Sequence, residues 1–299
     1  MLPSRQISQF LFPLCVLLHM RAMIFLLLGL MFGTRVDGQS PPSNQIAAIE
    51  RQIGGRLGVA AFDTGSGRKI EYRATERFPM CSTFKFLVAA AILQQPEREP
   101  LDRRLPYGAV DLLEWAPVTR AHLSEGGMTV RDLCAAAIEY SDNTAGNLLL
   151  RAIGGPPKLT AYVRGLGDPV TRLDRTEPSL NSALEGDQRD TTTPGAMVSN
   201  LEVLLLSKRL ARASRSQLSG WLEANTTGAK RIRAGLPPDW RVGDKTGTGE
   251  NGAAGDIAIV RPPERAPILM AIYLVGSASG ADQLNSAIAG VASVIAKSL

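Results

Sequence analysis

Strand-type patterning stands only near the two ends of this chain, and that separation limits what the chain can fold into. Residues 56–62 (RLGVAAF) and 68–73 (RKIEYR) flank a Gly-rich turn, DTGSG, and read as a hairpin. The pattern returns only after about residue 235, as RVGDKTGT, AGDIAIVR and ILMAIYLVGS, a meander with PPERAP joining the last two. From residue 82 to about 225 the pattern is helical. STFKFLVAAAILQQ (82–95) is rich in helix formers and ends before Pro96, and TVRDLCAAAIEY (129–140) opens on Thr129 and Asp132 like a capping box. Further helices are expected over 143–153, 157–165, 194–208 and 214–224. A closing one over 281–297 carries Leu284, Ala287, Ile288, Val291 and Ile295 at helical spacing. Together these imply an α+β fold: an antiparallel sheet of about five strands with flanking helices, built from residues 39–80 and 226–299, around an inserted all-helical domain over 81–225. Inside the insertion, TRLDRTEPSLNSALEGDQRD (171–190) is polar and rich in turn formers, and a loop that long in a compact domain is usually functional or disordered.

Composition narrows the function classes. A hydrophobic fraction of 44% allows a sizeable core, and 20% charged residues with a net charge of +5 argue against disorder. The basic excess is scattered and aromatics make up 5%, which gives nucleic-acid binding little support. Met23 to Gly33 (MIFLLLGLMFG), preceded by Arg21, has the length of a signal-peptide core and is short for a bilayer span. Val36-Asp37-Gly38 offers small residues for cleavage before Gln39; Met20 and Met23 are alternative starts, and an uncleaved anchor is the alternative to cleavage. Residues 1–38 are therefore read as a removed signal peptide, leaving an exported protein, periplasmic or secreted, with no stable membrane association. That protein keeps two cysteines, Cys81 and Cys134, and one histidine, His122. A single histidine weakens both a multi-histidine metal site and a Ser-His-Asp triad.

Three short stretches carry chemistry. Ser82 and Lys85 form S-x-x-K, and at i and i+3 of a helix an amine can reach a hydroxyl, beside N–H groups suited to an oxyanion. Ser66 and Lys69 repeat the spacing in the hairpin turn, off any helix, and read as solvated surface. Ser141-Asp142-Asn143 would cap a helix from Thr144, yet a serine hydroxyl can also relay a proton and an asparagine amide can bind a substrate amide. Lys245-Thr246-Gly247 sits late in a strand, where glycine lets another backbone approach; alone it reads equally as a surface strand ending in a turn.

The coincidence of S-x-x-K, S-D-N and K-T-G in this order is far rarer than any one of them. With RFPMCSTFK, MTVRDLCAAAIEYSDNTAGNLLL and RTEPSLN around them, the chain resembles the class A β-lactamases from about residue 45 to its end. The resemblance implies an active site between sheet and helices, no metal or cofactor, a small-molecule β-lactam as the partner, and a monomer. It implies that Ser82 is the acylated nucleophile, that Lys85 helps activate it, and that Ser141 carries a proton to the leaving nitrogen. Asn143 would bind the substrate's side-chain amide, with Asp142 bracing the loop. Glu177, with Asn181, would hold the hydrolytic water, next to a cis bond before Pro178 and an Arg175–Asp190 ion pair. A Lys85 neutral near pH 7 needs a pKa lowered by roughly 3 units from about 10.4, to which Lys245 could contribute. The N–H groups of Ser82 and Thr248 would form the oxyanion hole, Lys245 and Thr246 would bind the substrate carboxylate, Gly247 would lie along the substrate, and Trp115 would stand at the pocket rim. Where many members place an arginine after K-T-G this chain has Ala254, so Arg231 is expected to take that role. Cys134 faces Ala89 where members carry its disulfide partner, and Cys81 faces Gly249 where some carbapenem-hydrolysing members carry theirs; no disulfide is expected. Two alternatives share the motifs: a penicillin-binding DD-peptidase, which normally lacks the Glu177-type loop, and a sensor domain that stays acylated.

Overall fold

The computed structural model describes residues 40–94 and 101–299; the expected signal peptide lies outside them. Five antiparallel strands form the main sheet: β1 (Arg56–Asp63), β2 (Lys69–Tyr72), β3 (Arg241–Thr248), β4 (Ala254–Arg261) and β5 (Ile268–Val275), in the order β2-β1-β5-β4-β3. β1 pairs with β5 along its whole length, Val59 opposite Ile272, so the two ends of the chain do close into one sheet.

β5 reads as an unbroken apolar run because both its faces are covered. Leu269, Ala271 and Tyr273 join the apolar cluster on the helical side of the sheet, while Ile268, Met270, Ile272 and Leu274 join the cluster on the other side. That outer cluster is closed by two helices, α1 (Pro42–Ile53) and the C-terminal α8 (Ala281–Ser298), through Ile46 and Ile53 against Leu284, Ile288, Val291 and Ile295. The strand-and-turn reading of the N-terminal region passed over α1. Its signals are present: Pro42 at the first turn, Arg51 in the last, and Gly54 just past the end with φ 68°.

The inner face carries α2 (Phe84–Gln94), α3 (Val130–Glu139), α4 (Asn143–Ile153), α5 (Pro156–Gly165), α6 (Pro194–Leu205) and α7 (Arg212–Glu223). α2 is apolar all round and buried from Phe84 to Leu93, so it is the central helix of this layer. Lys85 is its one charged residue and is 0% exposed, a placement that packing alone does not explain.

The inserted region is not all-helical. Arg104–Pro106 pairs with Gly127–Thr129, and Thr191–Thr192 at the end of the long loop pairs with Phe78–Pro79 just before the Ser82 turn. Ribbons of three and two residue pairs are too short to show a period-2 pattern. The second one fastens the loop's C-terminal end beside Ser82.

Candidate active site

Ser82 sits on a 3-10 turn, Cys81–Thr83, that runs directly into α2. The residue before it, Cys81, has φ 45°, a left-handed backbone that glycine favours and that costs about 1–3 kcal/mol in other residues. The β3 edge runs hard against this turn: a Cβ on Gly247 would lie 2.7 Å from the Met80 carbonyl oxygen and 3.2 Å from Cys81 Cβ. Glycine in K-T-G is thus a steric requirement.

Lys85 Nζ donates to Ser82 Oγ at 2.8 Å, to the Ser141 carbonyl at 2.8 Å and to Asn143 Oδ1 at 2.6 Å, and it lies 3.0 Å from Glu177 Oε1. Ser82 Oγ in turn donates to Glu177 Oε1 at 2.9 Å. Burial pushes the Lys85 amine below its ordinary range, with the Glu177 and Asp142 carboxylates pulling the other way. Lys245 Nζ donates to Ser141 Oγ at 3.0 Å, so Ser141 links the two lysines, its carbonyl on one and its hydroxyl on the other. Burial first, then the Lys85 charge, brings Lys245 down to about 7. Desolvation therefore leads for both amines.

Ser141 also has a left-handed backbone, φ 56°. Within the motif it is Asp142 that caps α4, which begins at Asn143 as the helix expected over 143–153 does. The fully buried Asp142 carboxylate accepts from Ala145 N–H at 2.9 Å, from Val118 and Thr119 N–H at 3.0 and 2.9 Å, and from the Thr119 hydroxyl. Asn143 N–H donates to the Trp115 carbonyl, and Trp115 Nε1 to the Tyr140 carbonyl. At 57% exposed, Trp115 is a surface residue and not a core one.

Glu177 is buried, and its bond to Pro178 is cis. Its Oε2 accepts from Asn181 Nδ2 at 2.5 Å, and Asn181 Oδ1 meets no donor among the described residues. Arg175 Nε meets Asp190 Oδ2 at 2.6 Å, closing the loop's two ends on one another. Sequence reading missed the side chain that holds Glu177 itself. Asn147 accepts from Glu177 N–H at 3.0 Å and donates to its carbonyl at 2.9 Å. The signal was there: Asn147 stands four residues after Asn143 on α4, a polar residue beginning an apolar run.

Arg231 is buried behind β3. Its Nη1 donates to the Gly247 and Gly255 carbonyls, Nη2 to Thr248 Oγ1 at 2.7 Å and Nε to Asn285 Oδ1. Thr246 Oγ1 shares a hydrogen bond with Thr227 Oγ1 at 2.6 Å, another residue the sequence did not suggest. One hydrogen-bonded cluster thus holds Ser82, Lys85, Ser141, Asn143, Glu177, Asn181 and Lys245, with Thr246, Gly247 and Thr248 on β3. Ser66 is exposed in the hairpin turn and Lys69 is exposed at the start of β2.

A family model described as the β-lactamase enzyme family matches residues 41–299. The chain belongs to that family. It is 46% identical over 257 residues to β-lactamase OXY-2 of Klebsiella oxytoca, covering 85% of this chain and 88% of that protein. It is 50% identical over 260 residues to β-lactamase AST-1 of Nocardia asteroides, covering 85% and 83%. Among solved structures, an ancestral class A β-lactamase is 56% identical with a TM-score of 0.85, covering 87% of this chain and all of that one. The chain is accordingly a class A serine β-lactamase, with that class's α+β fold.

In this class A chain both Cys81 and Cys134 are free and buried, and burial pushes the Cys81 thiol up to about 12. A Cβ at Gly249 would lie 2.7 Å from Cys81 Sγ, so the segment after K-T-G does pack on that sulfur but brings no second thiol. Thiol titration of the denatured, unreduced protein lacking residues 1–38 should return two free thiols per chain. A result of none would establish a disulfide that the structure does not contain.

Proposed function

We propose that this chain hydrolyses the lactam ring of penicillins and cephalosporins through an acyl-enzyme on Ser82, and so confers resistance to them. The observation that carries this reading is the Ser82–Lys85–Glu177 triangle, in which one hydroxyl lies within 2.9 Å of both a buried amine and a buried carboxylate. Ser82 Oγ attacks the lactam carbonyl and gives up its proton to the Lys85–Glu177 pair. The oxyanion that forms is met by the backbone N–H groups of Ser82 and Thr248. As the C–N bond breaks, Ser141 delivers a proton to the nitrogen, and its link to both lysines supports that relay. Water then attacks the ester, Glu177 takes its proton, and Ser82 Oγ leaves with a proton restored, so the net change is water added across the amide bond. Asn181 Oδ1, which meets no donor among the described residues, supports a role in orienting that water beside Glu177.

Asn143 would turn its amide to the substrate's side-chain amide, with Trp115 at the rim, and Lys245, Thr246 and Arg231 would receive the substrate carboxylate along the β3 edge. The Arg231 guanidinium touches Thr248, which supports its assignment there. Arg231→Ala should raise KM for a carboxylate-bearing penicillin about tenfold or more, the equivalent of about 1.4 kcal/mol or more for one charged hydrogen bond. An unchanged KM would remove Arg231 from the site. Export to the periplasm or medium as a monomer belongs to the same reading; among the described residues no helix is long and apolar enough to cross a membrane.

Mixing the protein with a chromogenic cephalosporin tests the function. Continuous turnover is expected, with product far exceeding enzyme. A stable adduct on the unmodified protein, with no turnover, would favour a peptidase or a sensor instead.

A further inference from the structure

Two acids, Asp244 and Asp256, are fully buried on the sheet face away from Ser82, on the neighbouring strands β3 and β4. The register sets Asp256 directly opposite Thr246 of K-T-G. The two acids are treated very differently. Asp244 receives Arg233 Nε at 2.5 Å and Asn225 Nδ2 at 2.6 Å. Asp256 receives one backbone donor, Ile232 N–H at 3.1 Å on Oδ2, while its Oδ1 meets no donor among the described residues.

Arg231, the residue before Ile232, is the cation that could have paired with Asp256. Its guanidinium is instead spent on the Gly247 and Gly255 carbonyls, on Thr248 Oγ1 and on Asn285 Oδ1. A carboxylate buried with one neutral donor and no bonded cation is strongly disfavoured, whereas the neutral acid is not.

We propose that Asp256 is a positioning residue that works as a neutral carboxylic acid, fastening the Arg231–Ile232 backbone while leaving the Arg231 charge uncompensated by Asp256 beside Thr248 and the K-T-G strand. An ionised Asp256 would compensate that charge and draw the guanidinium back from the β3 edge. The groups facing Asp256 agree in sum. Burial pushes its carboxyl well above the usual carboxylate range, and Asp244 on β3 pushes the same way. Arg231 and Lys245 pull against them, and Tyr273 on β5 is itself pushed up by burial, so it adds no charge. The consequence for substrate rests on the reading that β3 binds the substrate carboxylate.

Infrared difference spectra of the whole protein at neutral pH, wild type against Asp256→Asn, test the protonation state without any turnover. A carbonyl band of a protonated carboxyl, lost in the variant, is expected; a carboxylate band lost instead would overturn the proposal. KM for an anionic penicillin, followed across neutral pH, tests the positioning. Asp256→Leu removes the acceptor for Ile232 and should raise KM about tenfold with a smaller change in kcat. Asp256→Asn keeps the acceptor and the shape and should rescue KM to within about twofold, with an unshifted pH profile. Were Asp256 ionised, the Asn variant would delete a buried negative charge beside Lys245 and move the alkaline limb to lower pH. That shift, or an Asn variant as impaired as the Leu one, would refute the proposal. If the Leu variant fails to fold, the infrared band and the Asn profile still decide. If the protein turned over no penicillin at all, the proposed function would fail while the infrared result still stood.

Discussion

Glu177→Gln should convert this hydrolase into a protein that reacts once with a β-lactam and stops, deacylation falling about 10²–10⁴-fold. The carboxylate is placed to take a proton: Oε1 faces Ser82 and Lys85, Oε2 faces Asn181, and the side chain is shielded from solvent. Glutamine has the same shape and cannot accept a proton. The fold should tolerate it, because Gln Oε1 can still accept from Lys85. Its amide N–H groups would then meet Asn181, whose Oδ1 has no partner among the described residues and can accept once that side chain turns over. Rapid mixing should show a burst equal to the enzyme concentration followed by a very slow steady state. A variant turning over at the wild-type steady rate would show that Glu177 does not serve as the deacylation base.

Asp142→Ala should cost about 3 kcal/mol of stability and most of the activity. The carboxylate caps α4 and also holds the Val118 and Thr119 N–H groups and the hydroxyl of the fully buried Thr119. Alanine leaves those donors unmet, at about 1–3 kcal/mol for each one that stays buried and unpaired, less whatever water can recover. For a chain of this size that corresponds to a fall in Tm of roughly 6–12 °C. Activity should fall with it, because Ser141 and Asn143 flank the cap and Ser141 holds a left-handed backbone that the cap anchors. Thermal unfolding of Asp142→Ala and Asp142→Asn, the latter losing less, measures this. A Tm within about 2 °C of wild type for the alanine variant would mean that the cap does not organise the site.

The parts of the fold that could be read from sequence were those with a period. β1 and the three C-terminal strands appear with nearly the expected bounds, because apolar runs bounded by Gly and Pro have few other readings. Helix α1 was missed although Pro42 and Gly54 mark both its ends, since only Ile46 and Ile53 on it are buried and its apolar stripe is thin. The two short ribbons exist only through tertiary pairing and leave no local trace. In the site, residues that lie in contiguous motifs could be found: Ser82 with Lys85, Ser141 with Asn143, Glu177 with Asn181, and Lys245 through Thr248. Those that reach the site's residues from elsewhere in the fold could not. Asn147 grips the Glu177 backbone from α4, Thr227 meets Thr246 from a loop, and Asp256 lies opposite Thr246 on another strand. Each is an ordinary residue type in its own segment, and its partner is set by register and packing.

A lactam should open onto Ser82 and be released by Glu177. Incubate the Glu177→Gln protein with a penicillin, digest the trapped adduct, and map it by mass spectrometry. One intact penicillin mass is expected, added on the peptide that carries Ser82. Substrate mass on any other peptide, or no adduct while the wild type hydrolyses the drug, would contradict it.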